Sequence, residues 1–185
     1  MPLPSVYREA LPVLLLSGLG LVVAGLLLGE MEGILRRTPG LIVLIPVLIA
    51  LRGGVSGSMG ARMGTAIHMG LIERGNLWNE EARQGVLAAV LLSLTLSALA
   101  GVLGHFTTLL LGLPSAGLGK LVLIATVAGT AAGLLLVGVT FGVLMLAFRR
   151  GLDPDNVTTP TLATVGDIVT VLLLFLVAFL VGGTP

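Results

Sequence analysis

Apolar stretches long enough to form membrane-crossing helices alternate with short polar segments along the whole chain. A helix rises about 1.5 Å per residue, so roughly 20 apolar residues cover the hydrocarbon of a bilayer. The first stretch runs over about 11–28. The second is harder to place: Leu41 to Leu51 is too short to span alone, and a glycine-rich tract follows it. Together, 39–72 make one long helical segment, either continuous or broken. The third, fourth and fifth stretches cover about 85–111, 121–148 and 160–180. Between them lie an amphipathic connector from Glu30 to Arg37, closed by Thr38-Pro39-Gly40, and a polar loop from Glu73 to Arg83. Trp78 in that loop is a natural interfacial anchor. A Gly/Pro loop from Gly112 to Lys120 and the run Arg149-Arg150-Gly151 complete the set. No internal repeat is visible, and residues 1–185 read as one domain.

Composition agrees with this pattern. The chain is 56% hydrophobic and only 10% charged, where soluble domains carry about a quarter charged residues. The expected class is an all-α integral membrane protein with five transmembrane helices, multi-pass in the cell membrane and surrounded by lipid. The first apolar stretch exceeds a signal-peptide core and is expected to remain a span. A net charge of +1 leaves no footprint for nucleic acid, and the absence of cysteine excludes disulfides and thiolate metal sites. With the N-terminus inside, the inner loops carry Arg8, Arg74, Arg83, Arg149 and Arg150, and the outer loops carry Arg36, Arg37 and Lys120. The positive-inside rule therefore favours N-in, C-out. The 27 glycines point to close helix packing. Small residues recur every four positions at 53, 57 and 61, at 56, 60 and 64, at 129 and 133, and at 138 and 142. In the second segment such stripes would also leave backbone carbonyls accessible beside a cavity, where irregular backbone is tolerated at membrane depth.

Against this apolar background Asp167 is an acid inside the fifth stretch. A carboxylate at membrane depth is costly and is by default a functional residue. Thr164 and Thr170, three residues to either side, extend a narrow polar stripe along the helix. Oxygen ligands and a carboxylate suit a hard divalent cation, with retained waters if it is magnesium. One aspartate is too few for a site, but a homodimer around a two-fold axis would supply two. The structural alternative is a neutral, hydrogen-bonded Asp167 or an ion pair with Arg52 or Arg62. Ahead of it, Asp153, Asp155 and Asn156 suit either a helix entry, with Asn156 as N-cap, or an acidic mouth that gathers cations.

Other polar residues carry weaker signals. Arg52 and Arg62 are expected at helix ends, snorkelling, or paired with acids such as Asp155 or Glu73. His68 and His105 have no second ligand at helical spacing, and Thr65 is expected to bond its own backbone. Gly54-Val55-Ser56-Gly57 matches the Gly-x-Ser-Gly of rhomboid-type intramembrane serine proteases, with His68 or His105 as nominal base. Four residues in a glycine-rich tract match such a motif easily. A packing module without transport is a further alternative.

Two elements together resemble the membrane domain of MgtE-type magnesium transporters, most closely the branch with the eukaryotic solute-carrier relatives. One is Pro46…Arg52-Gly53…Ala61-Arg62-Met63-Gly64-Thr65-Ala66. The other is Asp153-Pro154-Asp155-Asn156…Pro160…Thr164…Gly166-Asp167. The resemblance implies a homodimer with its pore on the two-fold axis, lined by the second and fifth helices, and Asp167 as the ion-binding aspartate. The eukaryotic relatives carry two such units per chain, so a single unit needs a second copy. This sequence departs from the pattern at Gly54, where those relatives have asparagine, and at Met59, near the place of a bacterial glutamine. The acidic N-terminal domain and paired CBS modules of bacterial members have no counterpart here, and gating by them is not expected. The combined expectation is a divalent-cation channel or transporter, for Mg²⁺ first and Mn²⁺ or another divalent second, rather than an enzyme. The expected cation contacts are Asp167, Thr164, Asp153, Asp155, Asn156 and the backbone at Gly53, Gly54 and Gly57. A proton- or sodium-coupled exchanger is the runner-up.

Overall fold

A computed structural model of the chain describes residues 3–72, 78–150 and 154–182, with the side chains of 3–10, 13, 147–150, 154–161 and 163 outside the described set. The described elements are all helical: α1 Leu3–Glu30, α2 Glu32–Arg37, α3 Leu41–His68, α4 Glu80–Leu110, α5 Leu118–Arg150 and α6 Pro154–Gly182. Among the described residues four stretches are long and apolar enough to cross a membrane: Leu41–His68, Glu80–Leu110, Leu118–Leu146 and Thr164–Gly182. α1 contributes a shorter apolar stretch, Leu14–Glu30. The five expected segments are thus all helices, four of them clearly of spanning character.

The ends follow from local chemistry. Asn79 caps α4, its side-chain oxygen accepting from the Ala82 N–H at 3.1 Å. At the Thr38-Pro39-Gly40 break Gly40 has φ 93°, a left-handed conformation that favours glycine, and α3 starts directly after it. Pro46 sits inside α3 without ending it. The second segment is therefore one unbroken helix from 41 to 68. The irregular backbone expected in the glycine tract is not there, and its carbonyls stay in the helical ladder.

α5 is the centre of the bundle, with α3, α4 and α6 packed around it. α1 lies outside, against α6 and α2. Leu44, Leu48, Leu121, Ile124, Val171 and Leu174 fill the shared core of α3, α5 and α6. Lipid is as apolar as leucine, so helix association depends on close backbone approach. The α4–α5 pair achieves this along three levels. A Cβ on Gly101 would lie 2.5 Å from the Val122 Cα, and Gly129 and Gly133 receive the side chains of Ser97 and Ser93. Gly101→Leu, which meets backbone and has no flexible side chain to displace, is expected to destabilise the fold by about 1–3 kcal/mol or more. A wild-type melting temperature for that variant in detergent would contradict the close approach.

Candidate cation site

Asp167 lies in the middle of α6, roughly 20 Å from its start. Val171, Leu174 and Ala178 continue its row up the helix, and all three are buried. Asp167 itself is half-buried. The inward-facing row of α6 therefore opens at the carboxylate. No described side chain makes a hydrogen bond or ion pair with it, and Arg52 and Arg62 are both beyond 4.0 Å. The proposed ion pair with either arginine is not formed.

The residue before it fixes its height in the bundle. A Cβ on Gly166 would meet Leu136 of α5 at 3.2 Å and the Cγ of Arg52 of α3 at 3.8 Å. Asp167 thus stands level with Arg52 and its chain neighbours Gly53 and Gly54. Those glycines face away from the bundle. Gly53, Gly54 and Gly57 are exposed, and a Cβ on any of them would meet nothing within 4 Å. With Ala61 and Thr65 they make an open, small-residue face of α3. The structure thus brings Asp167 and the glycine face to one level.

The remaining residues divide. Thr164 is directed in part at α1: its methyl group fits where Gly20 has no side chain. Thr170 is buried and gives its hydroxyl to the Gly166 carbonyl at 2.6 Å. Asp153 lies outside the described residues. Asp155 and Asn156 fall in the first turn of α6, but their side chains lie outside the described set. Thr65 donates to the Ala61 carbonyl at 3.0 Å, as its type favours.

Arg52 corrects the sequence reading. It is neither at a helix end nor snorkelling, but buried in the bundle about 17 Å along α3, where its Nη2 donates to the Gly129 carbonyl at 2.6 Å. Arg62 is exposed and lines a cleft of about 420 Å³ with Glu81 and Gln84, without a described acid within 4.0 Å. The protease geometry is also not formed. Ser56 is buried on the core face of α3, while His68 Nδ1 contacts the Gly64 carbonyl at 2.8 Å and His105 Nδ1 contacts Ser115 Oγ at 2.8 Å. Among the described residues no three acids, histidines or cysteines come together.

Four helices long and apolar enough to cross a membrane define a multi-pass membrane protein. Comparison with known proteins gives the family. The MgtE family, described as divalent cation transporter, matches residues 45–177. The chain belongs to that family. It is 28% identical over 189 residues to solute carrier family 41 member 3 of Rattus norvegicus, covering 95% of this chain and 39% of that protein. It is 28% identical over 176 residues to solute carrier family 41 member 2 of Homo sapiens, and 29% identical over 168 residues to the Xenopus laevis member 2. Each of these two alignments covers 86% of this chain and 29% of the relative. The chain thus spans well under half the length of these relatives.

Proposed function

We propose that two copies of this chain form a pathway for a divalent cation, Mg²⁺ first, across the membrane. The observation that carries this reading is the shared level of the half-buried Asp167 and the open glycine face of α3. In one chain that face has no partner. In a two-fold dimer with α3 and α6 toward the axis, two Asp167 carboxylates would approach the same ion. Magnesium dehydrates reluctantly and binds through one or two carboxylates with its waters kept. The glycine face leaves room for such a hydrated ion, and the second lone pairs of the Gly53, Gly54 and Gly57 carbonyls can accept from its waters. Thr164 Oγ1 is assigned a place beside Asp167, and Asp153, Asp155 and Asn156 a cation-gathering inner mouth in the N-in, C-out orientation.

The family match supports divalent cation transport; the choice of Mg²⁺ rests on the ligand chemistry. Purified protein in liposomes is expected to pass Mg²⁺ down its own gradient with no pH or sodium gradient present. Uptake that vanishes without one of those gradients would replace the channel by the coupled exchanger, in which Asp167 titrates during the cycle.

A further inference from the structure

We propose that Arg52 is a positioning residue for the cation site: a buried positive charge set behind Asp167 that weakens the hold on the dication and so speeds its release. The inference rests on reading Asp167 as the cation ligand. Arg52 is only 6% exposed. Its stem passes under Gly166 of α6, and its head reaches α5, where Nη2 bonds the Gly129 carbonyl. The other terminal nitrogen, Nη1, has no hydrogen-bond partner. It lies 4.0 Å from where a Gly133 Cβ would be, at the level closed by Ser93 of α4. No described carboxylate is within 4.0 Å.

A guanidinium at membrane depth normally pairs with an acid or marks a functional path. Tying α3 to the Gly129 carbonyl needs only one neutral N–H donor, which glutamine would supply at a smaller desolvation cost. The positive charge itself is what the packing leaves unexplained. The nearest functional group along the chain it touches is Asp167, one residue past Gly166. Because Arg52 is buried, its charge is screened less than a surface charge at the same distance would be. Two carboxylates facing a dication make a strong trap. Conduction needs binding weak enough to let the ion leave. Arg52 and its copy in the second chain offset part of that negative potential without blocking the path, because each head points into the bundle and away from the glycine face.

The test is the Mg²⁺-concentration dependence of uptake into proteoliposomes for Arg52→Met, which keeps the stem against Gly166 and removes the charge. The half-saturating concentration is expected to fall at least about three-fold and maximal flux to fall with it, while Arg52→Lys keeps both near the wild-type values. A merely structural arginine would lower maximal flux at unchanged half-saturation, and that result in Arg52→Met overturns the proposal. If Arg52→Met does not fold, Ser93→Asp decides, because it places a carboxylate beside Nη1 and neutralises the charge in place. Half-saturation must fall there too, and a wild-type value overturns the proposal. Asp167→Asn separates the two readings. Wild-type flux in that variant removes the site itself. A dead Asp167→Asn with wild-type half-saturation in the Arg52 and Ser93 variants removes only the role of Arg52.

Discussion

Asp167→Asn is expected to abolish Mg²⁺ uptake into proteoliposomes while leaving the protein folded. The substitution keeps the size and shape of the side chain and removes only its charge. The position is half-buried and unpaired, so no described hydrogen bond or ion pair is lost with the charge. Removing a lone charge from membrane depth should, if anything, help the fold. A loss of flux at unchanged yield and melting temperature therefore reads on the ion. Asp167→Glu keeps the charge one methylene further out and should retain part of the flux. Undiminished uptake in Asp167→Asn, with matched protein in the vesicles, would remove the carboxylate from the mechanism.

Gly57→Leu is the second large effect, and its direction depends on what covers α3. In the single chain a Cβ at this position meets nothing within 4 Å, so the substitution adds no clash within the bundle. If the glycine face lines the path between two copies, a leucine there fills space that hydrated cations cross and pushes the copies apart. Flux is expected to fall at least about ten-fold, with a smaller dimer fraction, since small residues are what permit close backbone approach. Were this face turned to lipid, leucine would be welcome there and flux would stay at the wild-type level. Gly101→Leu makes the contrast, because its damage is to the bundle itself and appears as lost stability.

The same contrast explains what the sequence could and could not reveal. The five helical segments were legible because spanning length and polar punctuation are one-dimensional signals. The Thr38-Pro39-Gly40 break was legible because proline and glycine carry turn chemistry. Asp167 stood out because an acid in an oily run has few structural excuses. Facing was not legible. In water, the apolar face of a helix marks the core, but in lipid both faces are apolar and the rule fails. α3 turns Gly53, Gly54 and Gly57 outward and Arg52 inward, the reverse of the usual expectation, while Gly60 and Gly64 face the bundle. One clue was available: Leu48, Arg52, Val55 and Met59 fall on one helical row, and the other three members are apolar. Ser93 and Ser97 on α4 also share the four-residue spacing of Gly129 and Gly133, the pairs they pack against. Thr164 shows a different limit. Residues three apart differ by about 60° around a helix, enough to send the Thr164 methyl toward α1. The Ser56 motif gave a nucleophile without geometry, since neither histidine contact goes to Ser56.

The central claim is that two copies of Asp167 meet around one divalent cation. It is tested most directly by a crystal structure of the purified protein grown with Mn²⁺, using the anomalous signal of the metal. The account predicts one strong peak on a two-fold axis between paired chains, with an Asp167 carboxylate on either side and the Gly53–Gly57 backbone around its waters. Well-occupied Mn²⁺ elsewhere with the two Asp167 side chains far apart, or a dimer whose glycine faces look out to lipid, would contradict it.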